Sequence, residues 1–292
     1  MNKALIAIDK SQSFRVYLAI STTMVEEARR IHNTSPLATA ALGRALTGVG
    51  LMGLQLKNDR DKLTVQFKGD GPAGEILVTA YGNGNVKGYI SNPDVELPLN
   101  DNGKLNVGGA AGTGTLTVIK DLGLREPYVG RIDLVNGEIG EDLTAYFFIS
   151  EQQSSSVALG VRINTDYTTA AAGGMIIQML PEAKQEAVDL LEKLLGEMTP
   201  ISTLVEEVSG QSAGKTTEAV IDSLLKRIFE PLPEEFAVER LEYRDIGWFC
   251  DCSLERLEQV VISIGSGDLK EIIEEDEMAE LTCQFCETKY HF

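Results

Sequence analysis

Hydrophobic and polar positions follow three rhythms along the chain. Residues 3–8 (KALIAI) and 14–20 (FRVYLAI) are short, apolar and rich in β-formers, which predicts a first pair of strands. Thr22 or Thr23 then caps a helix through 24–32, with Glu26 and Glu27 in its first turn. A second helix spans 35–56, with Ser35 as cap and Pro36 at the first helical position. It is apolar nearly all round and carries Gly43, Gly48, Gly50 and Gly53, so it is expected to be buried and closely packed. From 62 to 135 the rhythm shortens to alternating runs such as KLTVQFKG and GEILVTAYG, broken by GNGN (82–85) and DNG (101–103). That pattern predicts antiparallel sheet with hairpins. Residues 136–152 predict a helix, and 156–163 and 168–180 return to strand.

Pro181 opens a different rhythm. Ala187, Leu191, Leu194 and Leu195, and then Val220, Ile221, Leu224, Leu225 and Ile228, recur at helical spacing. Two prolines in 230–239 end the second of these stretches. The expected organisation is a mixed sheet-and-helix domain at 1–180, an amphipathic helical linker at 181–236 and a small third unit at 237–292. The linker's apolar stripe must lie on something, and the sheet domain is the expected surface. Strands and helices do not alternate one for one, so the fold class is α+β rather than a doubly wound sheet.

Composition narrows the function classes. At 292 residues, 43% hydrophobic and 24% charged, the chain reads as soluble and globular. A formal net charge of −18 repels phosphate backbones and acidic membrane surfaces, so neither nucleic acid nor membrane is an expected partner. The first apolar run ends at Asp9, too soon for a secretory signal, and the stretch 45–56 falls short of the roughly 18–20 residues a membrane span needs. A cytoplasmic location is therefore expected. Thiols stay reduced there, so clustered cysteines point to metal or redox chemistry.

All four cysteines lie near the C-terminal end, as Cys250-x-Cys252 and Cys283-x-x-Cys286 with 30 residues between the pairs. Two close pairs separated by a loop are a metal-site signature, and four thiolates suit one tetrahedral zinc. A purely structural zinc ribbon fits the spacing. So does a switch: thiolates are what oxidants attack, each pair is near enough to close on itself, and a Cys250–Cys252 ring would be strained and easily reduced. Zinc contributes roughly 10–16 kcal/mol to small metal domains, so a unit this small should unfold without it.

The cysteine layout resembles the heat-shock protein 33 family, the redox-regulated 33 kDa chaperonins. The segments 38–53 (ATAALGRALTGVGLMG), 92–100 (NPDVELPLN), 114–123 (GTLTVIKDLG), 137–152 (GEIGEDLTAYFFISEQ) and 171–181 (AAGGMIIQMLP) resemble that family in its order, over essentially the whole chain. The resemblance implies a chaperone, not an enzyme, that acts as an ATP-independent holdase under oxidative stress. It implies one zinc per chain on Cys250, Cys252, Cys283 and Cys286 in a reduced, inactive form. Oxidation then forms Cys250–Cys252 and Cys283–Cys286 disulfides, releases zinc, unfolds switch and linker, and favours a homodimer that binds unfolding client proteins. Val220, Ile221, Leu224, Leu225 and Ile228 are the expected client-binding residues.

Rival readings are weaker. A zinc-ribbon protein of transcription or translation would need basic residues around the metal, whereas 253–282 is strongly acidic, with Arg256 and Lys270 its basic residues. A thiol–disulfide oxidoreductase using Cys283 and Cys286 would need a low-pKa cysteine at a helix start, which AELTCQFC does not predict. Gly214-Lys215-Thr216 mimics a phosphate loop, but the required earlier glycine is Ser209. Gly210-x-Ser212-x-Gly214 mimics a nucleophile elbow, yet the histidines are only His32 and His291. GGAAGTGT (108–115) is expected to be a tight sheet turn. His32 is expected at a helix end, Trp248 against the zinc unit, and Tyr290 and Phe292 closing its other side.

Overall fold

The computed structural model describes residues 1–264 and 280–292, and it divides into two compact units, Met1–Trp248 and Phe249–Phe292. Lys270 and the acidic run around it lie outside the described residues.

The first unit is α+β, as its sequence predicts. β1 (Lys3–Asp9) and β2 (Phe14–Ile20) pair antiparallel. They share a five-stranded sheet with β8 (Ser155–Ile163), β9 (Thr169–Met179) and β10 (Val238–Arg244), in the order β10-β1-β2-β9-β8. Successive side chains point to opposite faces of a strand, so near-continuous apolar runs mean that both faces are buried. Ala4, Ile6, Tyr17, Ala19 and Ile176 join one core, while Leu5, Ala7, Val16, Leu18, Ile20, Met175 and Ile177 join another.

The first face is covered by α2 (Pro36–Gly53), the helix apolar all round, which is buried between two sheets. Ser35 caps it, its hydroxyl accepting from Ala38 N at 3.1 Å. Gly48 is needed for close approach: a Cβ there would sit 2.7 Å from Leu143 Cδ1. On the far side of α2 lies a six-stranded sheet containing β3 (Lys62–Gly69), β4 (Glu75–Tyr81), β5 (Asn85–Ile90), β6 (Gly114–Asp121), β7 (Tyr128–Asp133) and β11 (Gly247–Trp248), in the order β11-β5-β4-β3-β6-β7. Here one face is polar. Leu63, Val65 and Phe67 turn inward while Thr64, Gln66 and Lys68 alternate outward, and Val78, Val65 and Val118 stand in register across three strands.

The second face of the five-stranded sheet is covered by α5 (Gln185–Glu197), α6 (Ile201–Gly210) and α7 (Thr217–Phe229). Val220, Ile221, Leu224, Leu225 and Ile228 of α7 are all buried there, at about 2 kcal/mol each for removal of such side chains from water. Phe229 stacks on Phe14 with ring centroids 6.3 Å apart. Gly173 admits α6, since a Cβ would meet Val205 Cγ2 at 2.8 Å.

Several local expectations are corrected. α1 (Thr22–His32) starts after Ser21, not Thr22 or Thr23. The Ser21 hydroxyl bonds to Thr47 at 2.7 Å, and Asn2 Oδ1 instead accepts from Met24 N at 2.8 Å. Glu26 is spent on Arg29 and on Thr169 N rather than on the helix start. A short helix, α3 (Val107–Ala111), forms within the glycine-rich run because Asn106 Oδ1 accepts from Gly109 N. α6 was hidden in the sequence because its start at Pro200 looks like loop. Residues 238–244 belong to the first unit, not to the C-terminal one, because β10 extends the sheet beside β1. Trp248 likewise sits in the first unit, parallel to β5 and edge-on to His32 with ring centroids 5.8 Å apart. His32 Nε2 lies 3.1 Å from Gly88 O, which ties α1 to that sheet.

The helix expected at 136–152 is shorter, α4 (Gly140–Ile149). Its start is built on Asp142, which is fully buried and accepts from the backbone N–H groups of Val135, Asn136, Gly137 and Ile139. That carboxylate holds a turn whose Ile139 has a φ of 70°. Asp142→Ala strands these donors and is expected to cost about 3 kcal/mol in urea unfolding. A loss below about 1 kcal/mol would show that the turn finds other acceptors.

Candidate metal and redox centre

The second unit contains every cysteine of the chain. Cys250 and Cys252 lie on an arm that leads into α8 (Leu254–Ile264). Ser253 caps this helix, accepting from Arg256 N at 3.4 Å. Arg256 folds back onto Asp251, between the two cysteines, bonding its carboxylate and, at 3.1 Å, its carbonyl. Cys283 and Cys286 lie in the turn between β12 (Glu280–Thr282) and β13 (Lys289–His291). Cys283 N donates to Thr288 O at 2.9 Å and Glu287 N to Cys283 O at 2.8 Å. Glu287 takes a positive φ of 58°, which bends the chain so that both sulfurs of the Cys-x-x-Cys face inward.

All four Sγ atoms lie within 4.8 Å of one another, and all four are free thiols. The Cys250–Cys283 separation is 3.8 Å and the Cys252–Cys286 separation 3.3 Å. A tetrahedral zinc with bonds of about 2.3 Å sets its sulfurs roughly 3.8 Å apart, so the four donors fit one such ion. Both of these contacts run between the two arms, and all four sulfurs lie close enough together for any pairing. His291 faces away, its Nδ1 3.7 Å from Glu280 Oε2, and takes no part in the cluster.

The thiols differ electrostatically. Burial pushes Cys250 and Cys283 up. Burial also pushes Cys286 up, but hydrogen bonds with the Thr288 hydroxyl and backbone N–H and with the Cys252 and Cys250 sulfurs together outweigh it and bring this thiol down to about 7. The Tyr290 hydroxyl lies 3.2 Å from Cys252 Sγ and is itself raised to about 12, first by that bond and then by burial. Sequence reasoning gave Tyr290 only a packing role and overlooked Thr288. The alternation of β13 carries the signal for Tyr290, and the turn that returns Cys286 to the strand carries it for Thr288.

The comparisons with known proteins extend over nearly the whole chain. The family described as "Hsp33 protein" matches residues 2–292. The chain belongs to the Hsp33 family. A 33 kDa chaperonin of Alkaliphilus oremlandii is 48% identical over 283 residues, 97% of this chain and 90% of the relative. One from Clostridioides difficile is 46% identical over 279 residues, 95% of this chain and 91% of the relative. The crystal structure of the 33 kDa chaperonin (heat shock protein 33 homolog) from Thermotoga maritima superposes with a TM-score of 0.85 at 34% identity, covering 99% of this chain and 94% of that one.

Other candidate sites dissolve. The 209–217 stretch runs from α6 into α7, where Thr216 accepts from Ala219 N at 3.2 Å. Helix–loop–helix is neither a phosphate loop nor a nucleophile elbow. In the glycine-rich turn, Thr113 N and Oγ1 bond the Asp70 carboxylate, a negative group where a nucleotide phosphate would have to sit. Among the described residues, no helix is long and apolar enough to cross a membrane.

Proposed function

We propose that this chain is a redox-regulated, ATP-independent holdase chaperone of the cytoplasm, and not an enzyme. The observation that carries the reading is the cluster of four free cysteines, with sulfurs within 4.8 Å, in a small unit of an Hsp33-family chain. In the reduced form Cys250, Cys252, Cys283 and Cys286 hold one zinc per chain. When bound, the ion supplies cross-linking: it ties two arms of a unit with little core of its own.

The switching step belongs to the sulfurs. A thiolate attacks hydrogen peroxide and breaks its O–O bond, giving a sulfenic acid and hydroxide. The second thiolate of the pair displaces a further hydroxide and forms the disulfide. Two electrons leave the sulfurs, and with two protons from solvent both oxygens depart as water. Cys250–Cys252 and Cys283–Cys286 are the proposed pairs. Disulfide sulfurs are no longer thiolate ligands, so the unit loses zinc and with it roughly 10–16 kcal/mol of folding free energy.

The consequence passes along the chain. The Cys-x-Cys arm follows β10 and β11, and β10 follows α7 through a short 3-10 turn at Glu234–Phe236. Functionally, 1–180 is the chaperone core, 181–236 the linker and 249–292 the switch, and 237–248, which belongs to the first unit, leads from the linker to the switch. Unfolding of switch and linker uncovers the apolar stripe Val220, Ile221, Leu224, Leu225 and Ile228, together with the sheet face beneath it. Unfolding client proteins bind there, and dimers form on activation. Burial of these residues in the reduced arrangement accounts for its inactivity.

The test is light scattering of a chemically unfolded protein diluted into buffer. The reduced, zinc-loaded chain is compared with one treated with peroxide under mild heating, with zinc followed by a chelating dye. Suppression of aggregation only after oxidation, with about one zinc released per chain, is expected. Leu224→Ser with Leu225→Ser should weaken suppression by the oxidised form. Equal suppression by both redox forms, with zinc retained, would overturn the switch, and an unaffected double variant would overturn the role of the stripe.

A further inference from the structure

The strand that closes the cysteine hairpin has two faces with different chemistry. Lys289 and His291 point to Glu280, at 2.9 and 3.7 Å. Side chains alternate along a strand, so Tyr290 lies on the opposite face, and Thr288, just ahead of the strand, approaches the same cluster. That face meets the sulfurs. Thr288 Oγ1 is 3.2 Å from Cys286 Sγ, and Tyr290 Oη is 3.2 Å from Cys252 Sγ. Each cysteine pair thus has one sulfur with a hydroxyl against it.

We propose that the Tyr290 and Thr288 hydroxyls are positioning groups that set how tightly zinc is held and how fast each cysteine pair is oxidised. The inference rests on the zinc reading of the cluster and extends it to residues outside the four ligands.

The physical argument is direct. With free thiols, Cys286 Sγ donates to Thr288 Oγ1, while either partner can donate between Cys252 and Tyr290; a thiolate has no proton to give, so in the metal-holding state the donors must be the hydroxyls. An O–H pointing at a sulfur draws negative charge from it and fixes its lone pairs in one direction. Both effects lower its nucleophilicity towards a peroxide oxygen, and the second also orients it for a metal. Groups that hold metal ligands in this way are typically worth about 10–100-fold in metal affinity.

The two hydroxyls are not equivalent. Thr288 acts within its own hairpin, two residues from the sulfur it holds. Tyr290 reaches from the hairpin to the other arm, so its bond to Cys252 joins the two arms without any metal. Loss of the Tyr290 hydroxyl therefore frees the Cys250–Cys252 arm, and loss of the Thr288 hydroxyl exposes the Cys283–Cys286 pair.

The experiment uses the full chain, reduced and zinc-loaded, as wild type, Tyr290→Phe, Thr288→Val and Thr288→Ser. Zinc affinity is measured by competition with a chelating dye. The order of oxidation is read by adding hydrogen peroxide, alkylating the remaining thiols at intervals and assigning them by mass spectrometry. Tyr290→Phe keeps the ring and removes only the hydroxyl. It should weaken zinc binding by about tenfold or more and speed oxidation of Cys250 and Cys252 over that of Cys283 and Cys286. Thr288→Val should show the reverse preference, and Thr288→Ser, which keeps the hydroxyl, should restore wild-type values. A structural role for the side chains alone would not make the two variants favour opposite pairs. If Tyr290→Phe fails to fold, the Val and Ser variants at 288 still decide the matter. Variants within about twofold of wild type in both readouts would overturn the proposal while leaving the zinc site intact. A wild-type chain that takes up no zinc would overturn the zinc reading and this proposal together.

Discussion

A sheet with two apolar faces must be covered twice, and the architecture of the first unit follows from that constraint. One face of the five-stranded sheet is closed by α2, which a second sheet covers in turn. The other face depends on α5, α6 and α7, amphipathic helices whose outer surface is polar. The two covers differ in kind. α2 is apolar all round and buried on every side, so it has nowhere else to go. The three later helices bury one stripe each and could exist, solvated, away from the sheet. Of the two faces, only this one can be uncovered without destroying the rest of the core.

The second unit supplies the opposite condition. It spans Phe249–Phe292, and among its described residues the organised parts are one helix, one short hairpin and the sulfur cluster. Its surface ion pairs, such as Lys289–Glu280, are exposed and add little. Four thiolates around one ion would be its dominant source of order, and thiolates are the groups an oxidant removes. A removable cover and an oxidisable fastening on one chain form a coherent device. The local hydroxyls of Thr288 and Tyr290 then become the means of setting its sensitivity.

Much of this was legible in the sequence because it depends on short-range pattern. The Cys-x-Cys and Cys-x-x-Cys spacings announced four sulfurs gathered at one place. Ser35-Pro36 announced the start of α2, and period-two alternation announced the six-stranded sheet. The apolar stripe of α7 was readable, and so was the surface it needed. What escaped depended on contacts distant in sequence. Nothing in 238–244 says that this segment pairs with β1 rather than with the cysteine unit. Trp248 lies two residues before Cys250, yet it packs with His32. Asp142 looks like an ordinary acidic residue at a helix start, whereas its carboxylate gathers four backbone donors from the preceding turn. Tyr290 is legible only once β13 is placed beside the other arm.

The account stands or falls on whether oxidation of the cysteines releases the helical cover while the sheets persist. Hydrogen exchange with peptide-level mass spectrometry, on the reduced zinc-loaded chain and on the fully oxidised one, reads this directly. The account predicts that amides of α5, α6 and α7 lose protection on oxidation while those of β3, β4 and β6 keep theirs. Unchanged protection of α5–α7 in a chain whose two disulfides have formed would contradict it.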